Sequence, residues 1–400
     1  MSEVKTKVPQ LRFPGFSDEW EEKKLGNISK LTSSKRVYLD DYVQSGIPFY
    51  RGKEISELQK GLTPKDILYI SNESYEQYKS KYGIPQVDDI LITAVGTLGN
   101  ILRIKDRKPF YFKDGNLIWI KDIYEYSNFL EILLEVKNKE IQKTSIGSTQ
   151  RALTMVELRK LLLPFPAKQE QQKIAAFLTA VDTKIEQLSK KQELLGEYKK
   201  GLMQQIFSQA IRFKADDGST FPEWKEKKLG DIVRFENGKG HEQNISKDGK
   251  FIVVNSKFIS SQGRVKKYTD TQKSPLNFGD VVMVMSDVPN GKALAKCYYI
   301  EQDNLYSLNQ RICGLKHKLA DTKFIYYRIN RHKYFLSFDS GVGQTNLKKM
   351  EILNCPLNIP TDIKEQAKIA NFLSSVDNKI EQMGKQLDES KQFKKALLQQ

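Results

Sequence analysis

The sequence predicts an α+β fold: two mixed α/β domains separated by an antiparallel coiled coil of two long helices, closed into a cyclic arrangement with approximate two-fold symmetry. Three observations predict it. The chain is an internal duplication in which Glu19–Ile28 returns as Glu223–Ile232 with eight of ten positions identical. Glu170–Gln187 returns as Glu365–Gln382 with thirteen of eighteen identical, and Lys199–Gln205 matches Lys394–Gln400. Between these repeated frames lie two middles that do not repeat. A constant frame around divergent inserts describes one architecture carrying two recognition surfaces.

Taken in order, residues 1–15 read as a loosely ordered N-terminal arm with no apolar segment long enough for a signal or a membrane span. Residues 16–163 form the first domain. Asp89–Ile92 and Leu117–Ile120 are short β-rich runs, and Phe129–Leu134 reads as helix. Residues 164–210 carry the first spacer helix. Ile174, Val181, Leu188, Leu195 and Leu202 follow one another at seven-residue steps, and Leu178, Ile185 and Ile206 stand beside them. Pro164 and Pro166 mark its start. Residues 211–355 form the second domain, with Asp280–Met283 and Arg311–Leu315 as strands and Phe324–Tyr327 as helix. Residues 356–400 carry the second spacer helix. There Ile369, Val376, Met383 and Leu397 keep the phase, Ser390 breaks it, and Pro356 and Pro360 mark the start.

Each helix spans about 35 residues, or roughly 50 Å. One apolar stripe on a helix that long needs a partner, and the nearest candidate is the other copy. If the two pair antiparallel, the second returns toward the first domain and the chain closes on itself.

Composition narrows the function classes. Lys and Arg total 65 against 49 Asp and Glu, a net charge of +16, which attracts polyanions, nucleic acid foremost. Cys297, Cys313 and Cys355 form no CxxC pair, so the cysteines fit a reduced, cytoplasmic protein and no zinc site. No P-loop, no GxGxxG and no Asn/Asp-Pro-Pro-Tyr is present. Glu22-Lys23-Lys24 and Glu226-Lys227-Lys228 resemble nuclease Glu-x-Lys pieces but lack an acidic residue suitably placed upstream. His241, His317 and His332 have no nucleophile at a recognisable spacing and read as surface residues or phosphate contacts. The repeated Trp20 and Trp224 read as core anchors, since they fall in the constant frame.

DNA readout requires long cationic and amide side chains on loops. In the first middle these are Lys35, Arg36, Arg51, Lys53, Thr93, Thr97, Asn100, Lys113, Gln150 and Arg151. In the second they are Asn237, Lys239, His241, Asn255, Lys257, Arg264, Lys266, Lys267, Asn290, Lys292, Gln344 and Asn346.

On these residues the chain resembles the specificity subunit of Type I restriction–modification enzymes, over essentially its whole length. The resemblance rests on the paired Trp-x-x-x-x-Leu-Gly-x-Ile starts, on Asp89 through Asn100, and on the two Glu-Gln-x-Lys-Ile-Ala-x-Phe-Leu-x-x-Val-Asp helices. It departs at Ser286–Gly291, where the Gly-Thr-x-Gly loop of the first middle has no copy. The resemblance implies two target recognition domains, each reading half of a split, asymmetric DNA sequence. It implies that the chain itself is not an enzyme and binds no cofactor. S-adenosylmethionine, ATP and Mg are expected in partner subunits: two methyltransferase copies and the restriction subunits. It also implies a bacterial cytoplasmic protein, nucleoid-associated when DNA-bound. Polar positions repeated on the helices are the candidate docking residues: Glu170, Lys173, Asp182, Lys184 and Glu186, with Glu365, Lys368, Asp377, Lys379 and Glu381. The competing readings are a stand-alone sequence-specific DNA-binding protein, a fused nuclease, for which the chain has neither room nor motif, and a purely structural coiled coil.

Overall fold

The computed structural model describes residues 9, 11–147, 151–288 and 291–399. The chain divides into two compact units, residues 1–188 with 386–400 and residues 189–385.

In the first unit the Asp89–Ile92 run is the strand Ile90–Thr93, buried at every position. It lies in a four-stranded antiparallel sheet between Leu117–Lys121 and Ile101–Arg103, with Lys30–Thr32 at the edge. Successive side chains on a strand point to opposite faces. Ile90 and Ile92 accordingly pack with Phe129 and Leu130 of the helix Ser127–Val136, while Leu91 packs with Ile55, Phe112 and Trp119 on the other face. Burial on both faces explains an apolar run with no polar alternation. A second sheet joins Tyr42–Val43, Leu68–Ile70, Ile47–Tyr50 and Tyr111–Phe112.

The second unit repeats the plan. Val281–Val284 lies between Ile312–His317 and Cys297–Tyr299. Val281 and Met283 meet Phe324 of the helix Thr322–Ile329, while Val282 and Val284 meet Phe258 and Ile259. The three cysteines are free and buried in this unit, and burial pushes the Cys313 and Cys355 thiols up to about 12.

The first long helix is Lys168–Phe207, 40 residues, and the second is Ile363–Leu397, 35 residues. Pro164 and Pro356 stand one element earlier than expected. They lie in two-stranded ribbons, where Leu162–Phe165 pairs with Glu21–Lys24 and Pro356–Ile359 with Lys225–Lys228. Proline is tolerated there because these are edge strands. Within each unit the helices pair antiparallel. In the first, Asp182 bridges Lys394 at 2.6 Å and Phe177 meets Phe393 edge-on. In the second, Lys199 bridges Asp377 at 2.6 Å and Gly384 faces Gln192. The mixed α/β fold with paired long helices is as the sequence predicts.

Arg12 and Phe13, inside the range expected to be loosely ordered, are pinned. Arg12 forks onto the buried Glu170 with bonds of 2.9 and 2.6 Å and donates to the Asp18 carbonyl, while Phe13 packs on Phe177. The same device recurs at Arg212 and Phe213. Arg212 reaches Glu365 at 3.3 Å and the Phe221 and Pro222 carbonyls, and Phe213 packs on Phe372. Trp224 donates a further bond to Glu365. Leu11-Arg12-Phe13 and Ile211-Arg212-Phe213 therefore belong to the duplication, eight and twelve residues upstream of Glu19 and Glu223, where identity first becomes plain.

Removing one partner of a buried pair leaves a charge without compensation. Arg212→Leu should destabilise the second unit by about 3–5 kcal/mol, read by urea denaturation on Trp224 fluorescence. The Arg212→Leu, Glu365→Leu double variant should recover most of that loss; an additive double variant would contradict the clamp.

Candidate nucleic-acid interface

The candidate loops hang on two backbone anchors that each unit repeats. In the first, the Ala94 N–H bonds the Asn116 carbonyl at 2.8 Å and the Leu153 N–H bonds the Ala94 carbonyl at 2.9 Å. In the second, Met285 N–H bonds the Arg311 carbonyl at 3.0 Å and Leu347 N–H bonds the Met285 carbonyl at 2.8 Å. These bonds tie the loop after the central strand to two segments distant in sequence.

Around the first anchor the structure gathers most of the expected residues. The Ser34 hydroxyl bonds the Phe112 carbonyl, the Lys35 N–H bonds the Tyr111 hydroxyl and the Arg36 guanidinium meets Asp114 at 3.1 Å. The Lys113 N–H bonds the Tyr50 carbonyl, which places it beside Arg51. Arg51 precedes the helix Gly52–Gln59 and forks onto the buried Glu54. Burial pushes the Glu54 carboxyl up, but the Arg51 bonds outweigh it and hold the carboxyl below its usual range. Gly52 abuts the Thr93 side chain and the Asn100 amide bonds Ser56. Val95 bridges Ala152, next to the exposed Arg151. Gly96 and Gly99 hold φ of +79° and +80°, a region that favours glycine, so the Gly-Thr-Leu-Gly turn needs both. Lys35, Arg36, Lys53, Thr97 and Arg151 are exposed. Thr93 is not: it is fully buried, accepts the Asn100 N–H at 2.8 Å and donates to the Thr97 carbonyl. It shapes the turn from beneath. Gln150 lies outside the described residues.

Around the second anchor Gly238 and Lys239 lie against Leu308–Ile312, and Asn237 pairs with Cys313. A Cβ on Gly238 would stand 1.9 Å from the Asn309 carbonyl, so only glycine permits this approach. The Asn309 N–H reaches the Val254 carbonyl, beside Asn255, whose side chain caps the short helix Ser256–Ser260 at 2.9 Å. Ser286–Asp287 pairs with Thr345–Asn346, and the Gln344 amide bonds the Ser286 hydroxyl. Lys267 joins through its carbonyl to Val253. Arg264 stands apart beyond the far end of the capped helix, bonding the Ser261 carbonyl, with Lys266 just after it. Lys239, Lys257, Arg264, Lys266, Lys267, Lys292, Asn237, Gln344 and Asn346 are exposed. Asn290 lies outside the described residues.

His241 corrects the surface reading. It is fully buried, with Nδ1 at 2.7 Å from the Lys239 carbonyl and Nε2 at 2.8 Å from the Ser307 hydroxyl. It braces the Lys239 loop from inside. His332, half-buried, caps a helical turn, and burial with Arg328 and Lys333 nearby lowers it to about 4. His317 is exposed, with its ring nitrogen at 2.8 Å from the Ala320 carbonyl.

Two residues of this cluster escaped the sequence reading. Arg311 is exposed at the anchor itself with φ +65°, a conformation costly for a residue with a Cβ. Its place was legible only as the partner of Asn116 in the repeat. Asp287 answers what replaces the Gly-Thr-Leu-Gly turn. Its carboxylate accepts the N–H groups of Val288, Ala293 and Leu294 at 2.9, 2.6 and 3.0 Å. A side-chain clamp does in one unit what the glycines do in the other.

The helix candidates divide. Glu170 and Glu365 are buried in the arginine clamps, so they are not docking surface. Asp182 and Asp377 bridge the opposite helix. Lys173 and Lys368 lie over Phe16 and Phe221. Their repetition follows from contacts inside each unit. Lys184, Glu186, Lys379 and Glu381 remain exposed. Among the described residues no group of His, Cys, Asp or Glu is arranged to hold a metal, and no helix is long and apolar enough to cross a membrane.

The profile of the Type I restriction modification DNA specificity domain matches residues 17–195 and again 222–391. A putative type I restriction enzyme specificity subunit of Haemophilus influenzae is 32% identical over 162 residues, which cover 40% of this chain and only 39% of that relative. The putative MjaX specificity subunit of Methanocaldococcus jannaschii is 23% identical over 406 residues, 95% of this chain and 92% of its own. The fold is that of the Type I restriction–modification S subunit from M. genitalium, with a TM-score of 0.62 at 16% identity over 98% of both chains. A structure described as explaining complex assembly and conformational transition of the type I R-M system gives 0.57 at 14% identity, again over 98% of both chains.

Asp287→Ala should release the Ala293 and Leu294 amides, raising their hydrogen exchange at least roughly tenfold while circular dichroism stays unchanged. Unaltered exchange at both would show that the carboxylate does not hold this loop.

Proposed function

The chain belongs to the Type I restriction–modification DNA specificity family, and from that premise we propose that each unit's loop cluster reads one half of a split, asymmetric DNA target. The observation that carries this reading is the repeated anchor. Ala94 with Leu153 and Met285 with Leu347 hold loops of unlike sequence on like backbone bonds. Constant bonds fix where a loop stands, and variable side chains decide what it meets.

The exposed cations neutralise phosphates and set the register, whereas Asn, Gln and Arg side chains pair with purine edges in the major groove. Counterion release makes such binding fall steeply with salt. The two middles differ in sequence and length: Trp20 to Glu170 spans 150 positions and Trp224 to Glu365 spans 141. Unlike surfaces read unlike half-sites, and two half-sites on one DNA face lie ~10 bp apart.

The chain contributes recognition, and the chemistry belongs to its partners. Methyl transfer and translocation need S-adenosylmethionine, ATP and Mg, which the partner subunits supply. Two methyltransferase subunits dock on the helix pair, with Lys184 and Glu186 on one copy of the surface and Lys379 and Glu381 on the other. Restriction subunits join that complex.

Replacing residues 221–355 with the matching segment of a relative should change one half-site in a genome-wide methylation map and leave the other intact. A change in both halves would show that the units do not read independently. The helices should also measure the gap. Because Gln192 faces Gly384, four residues inserted after both Leu195 and Met383 lengthen the pair by roughly 6 Å. The unspecified gap should then grow while both half-sites persist; an unchanged gap in an active variant would exclude a ruler.

A further inference from the structure

A large apolar side chain left in water adds nothing to the core of its own chain. Among the described residues the two most exposed of this kind are Leu39, at 85%, and Val342, at 88%. Each unit holds one, and each stands at a candidate loop cluster. Leu39 opens the turn Leu39–Asp41, three residues after the exposed Arg36 and four after the exposed Lys35. The Asp41 carboxylate accepts the Tyr38 N–H at 2.8 Å, and the Asp41 N–H returns to the Tyr38 carbonyl at 3.1 Å. Val342 lies two residues before Gln344, whose amide bonds Ser286 in the second cluster. There Asp339 is the brace: its carboxylate accepts the Gly341 N–H at 3.0 Å and the Thr345 hydroxyl at 3.1 Å. An aspartate thus fixes the backbone beside each aliphatic tip. The tips are not copies of one another, since the corresponding turn of the second unit, Glu242–Asn244, carries Glu242 in place of Leu39. Loops of unlike origin place the same chemistry at both clusters.

We propose that Leu39 and Val342 are wedges, each entering between two stacked base pairs of the half-site that its unit reads. This rests on the DNA reading of the loop clusters and adds how the duplex is deformed there. Stacked bases form the apolar interior of a duplex, and a protruding aliphatic side chain enters it by partly unstacking one step. Cations beside the tip hold the flanking phosphates: Lys35 and Arg36 near Leu39, and the exposed Lys348 near Val342. Opening a step costs least where a pyrimidine precedes a purine. Each half-site should therefore contain such a step at its wedge, specified by deformability and not by contacts to base edges.

The probe is the target duplex taken from the methylation map, with 2-aminopurine placed in turn at each adenine other than the methylated ones. It is bound by the full chain together with its methyltransferase partner. Fluorescence should rise at one step in each half-site. Leu39→Ala should abolish the rise in one half-site and Val342→Ala in the other, each weakening specific binding roughly tenfold. Leu39→Met and Val342→Ile should keep both signals, and all four variants should melt as the unaltered chain does. Specific binding without any rise would overturn the wedges and leave the DNA reading standing. So would a loss of affinity that replacing thymine by uracil reproduces, since the side chains would then be reading methyl groups. A lowered melting temperature for either alanine variant would assign that side chain to the fold instead. Absence of specific binding by the unaltered complex would overturn the DNA reading and the wedges together.

Discussion

A carboxylate buried at the first turn of each long helix is the constraint on which the rest depends. Glu170 and Glu365 are at most 1% exposed, and a charge so placed persists only when it is paired and hydrogen-bonded. Arg12 and Arg212 supply the pairing, and each arginine also bonds carbonyls of the segment leading to the first ribbon strand. One guanidinium therefore fixes the arm, the strand entry and the helix start together. The neighbouring glutamine extends the joint. Gln171 and Gln366 each donate to a proline carbonyl at 2.8 Å and accept the backbone N–H of Tyr126 or Asp321 at the start of the packing helix.

From that joint the two units share a frame and differ in what it carries. Buried Asp89 and Asp280 shape the turn into the central strand in the same way, accepting the N–H of Gln86 and Asn277. Burial pushes both carboxyls above their ordinary range. Downstream the units diverge: two left-handed glycines turn one loop, and Asp287 clamps the other. The backbone position is conserved by hydrogen bonds, while the means of holding it is free to change. Recognition loops can then vary without loss of the scaffold.

The repeated polar residues of the helices acquire a different meaning from the one repetition alone suggests. Asp182 with Lys394, and Lys199 with Asp377, form the same ion pair in the two units. Exposed ion pairs contribute little stability. Their value lies in register, because each holds one helix against the other at a fixed alignment that a slip would break in both units. A polar position can thus be retained by its own chain, and only the exposed remainder is available to a partner.

The sequence by itself determined the duplication, the two helices, the strands at their centres and the family, since period, identity and charge are properties of a string. It also marked most of the loops that the fold gathers, because glycine, amide and cationic residues cluster along the chain where turns must bring backbone close. Only the tertiary structure decided which members face outward. Thr93 and His241 carry the right chemistry for DNA and are buried, while Arg311 was passed over and stands exposed. Glu170 reads as a solvated helix residue and is a core charge, because its partner Arg12 lies 158 positions away. Burial and pairing are set by contacts between residues distant in sequence, and no local pattern records which distant residue will arrive.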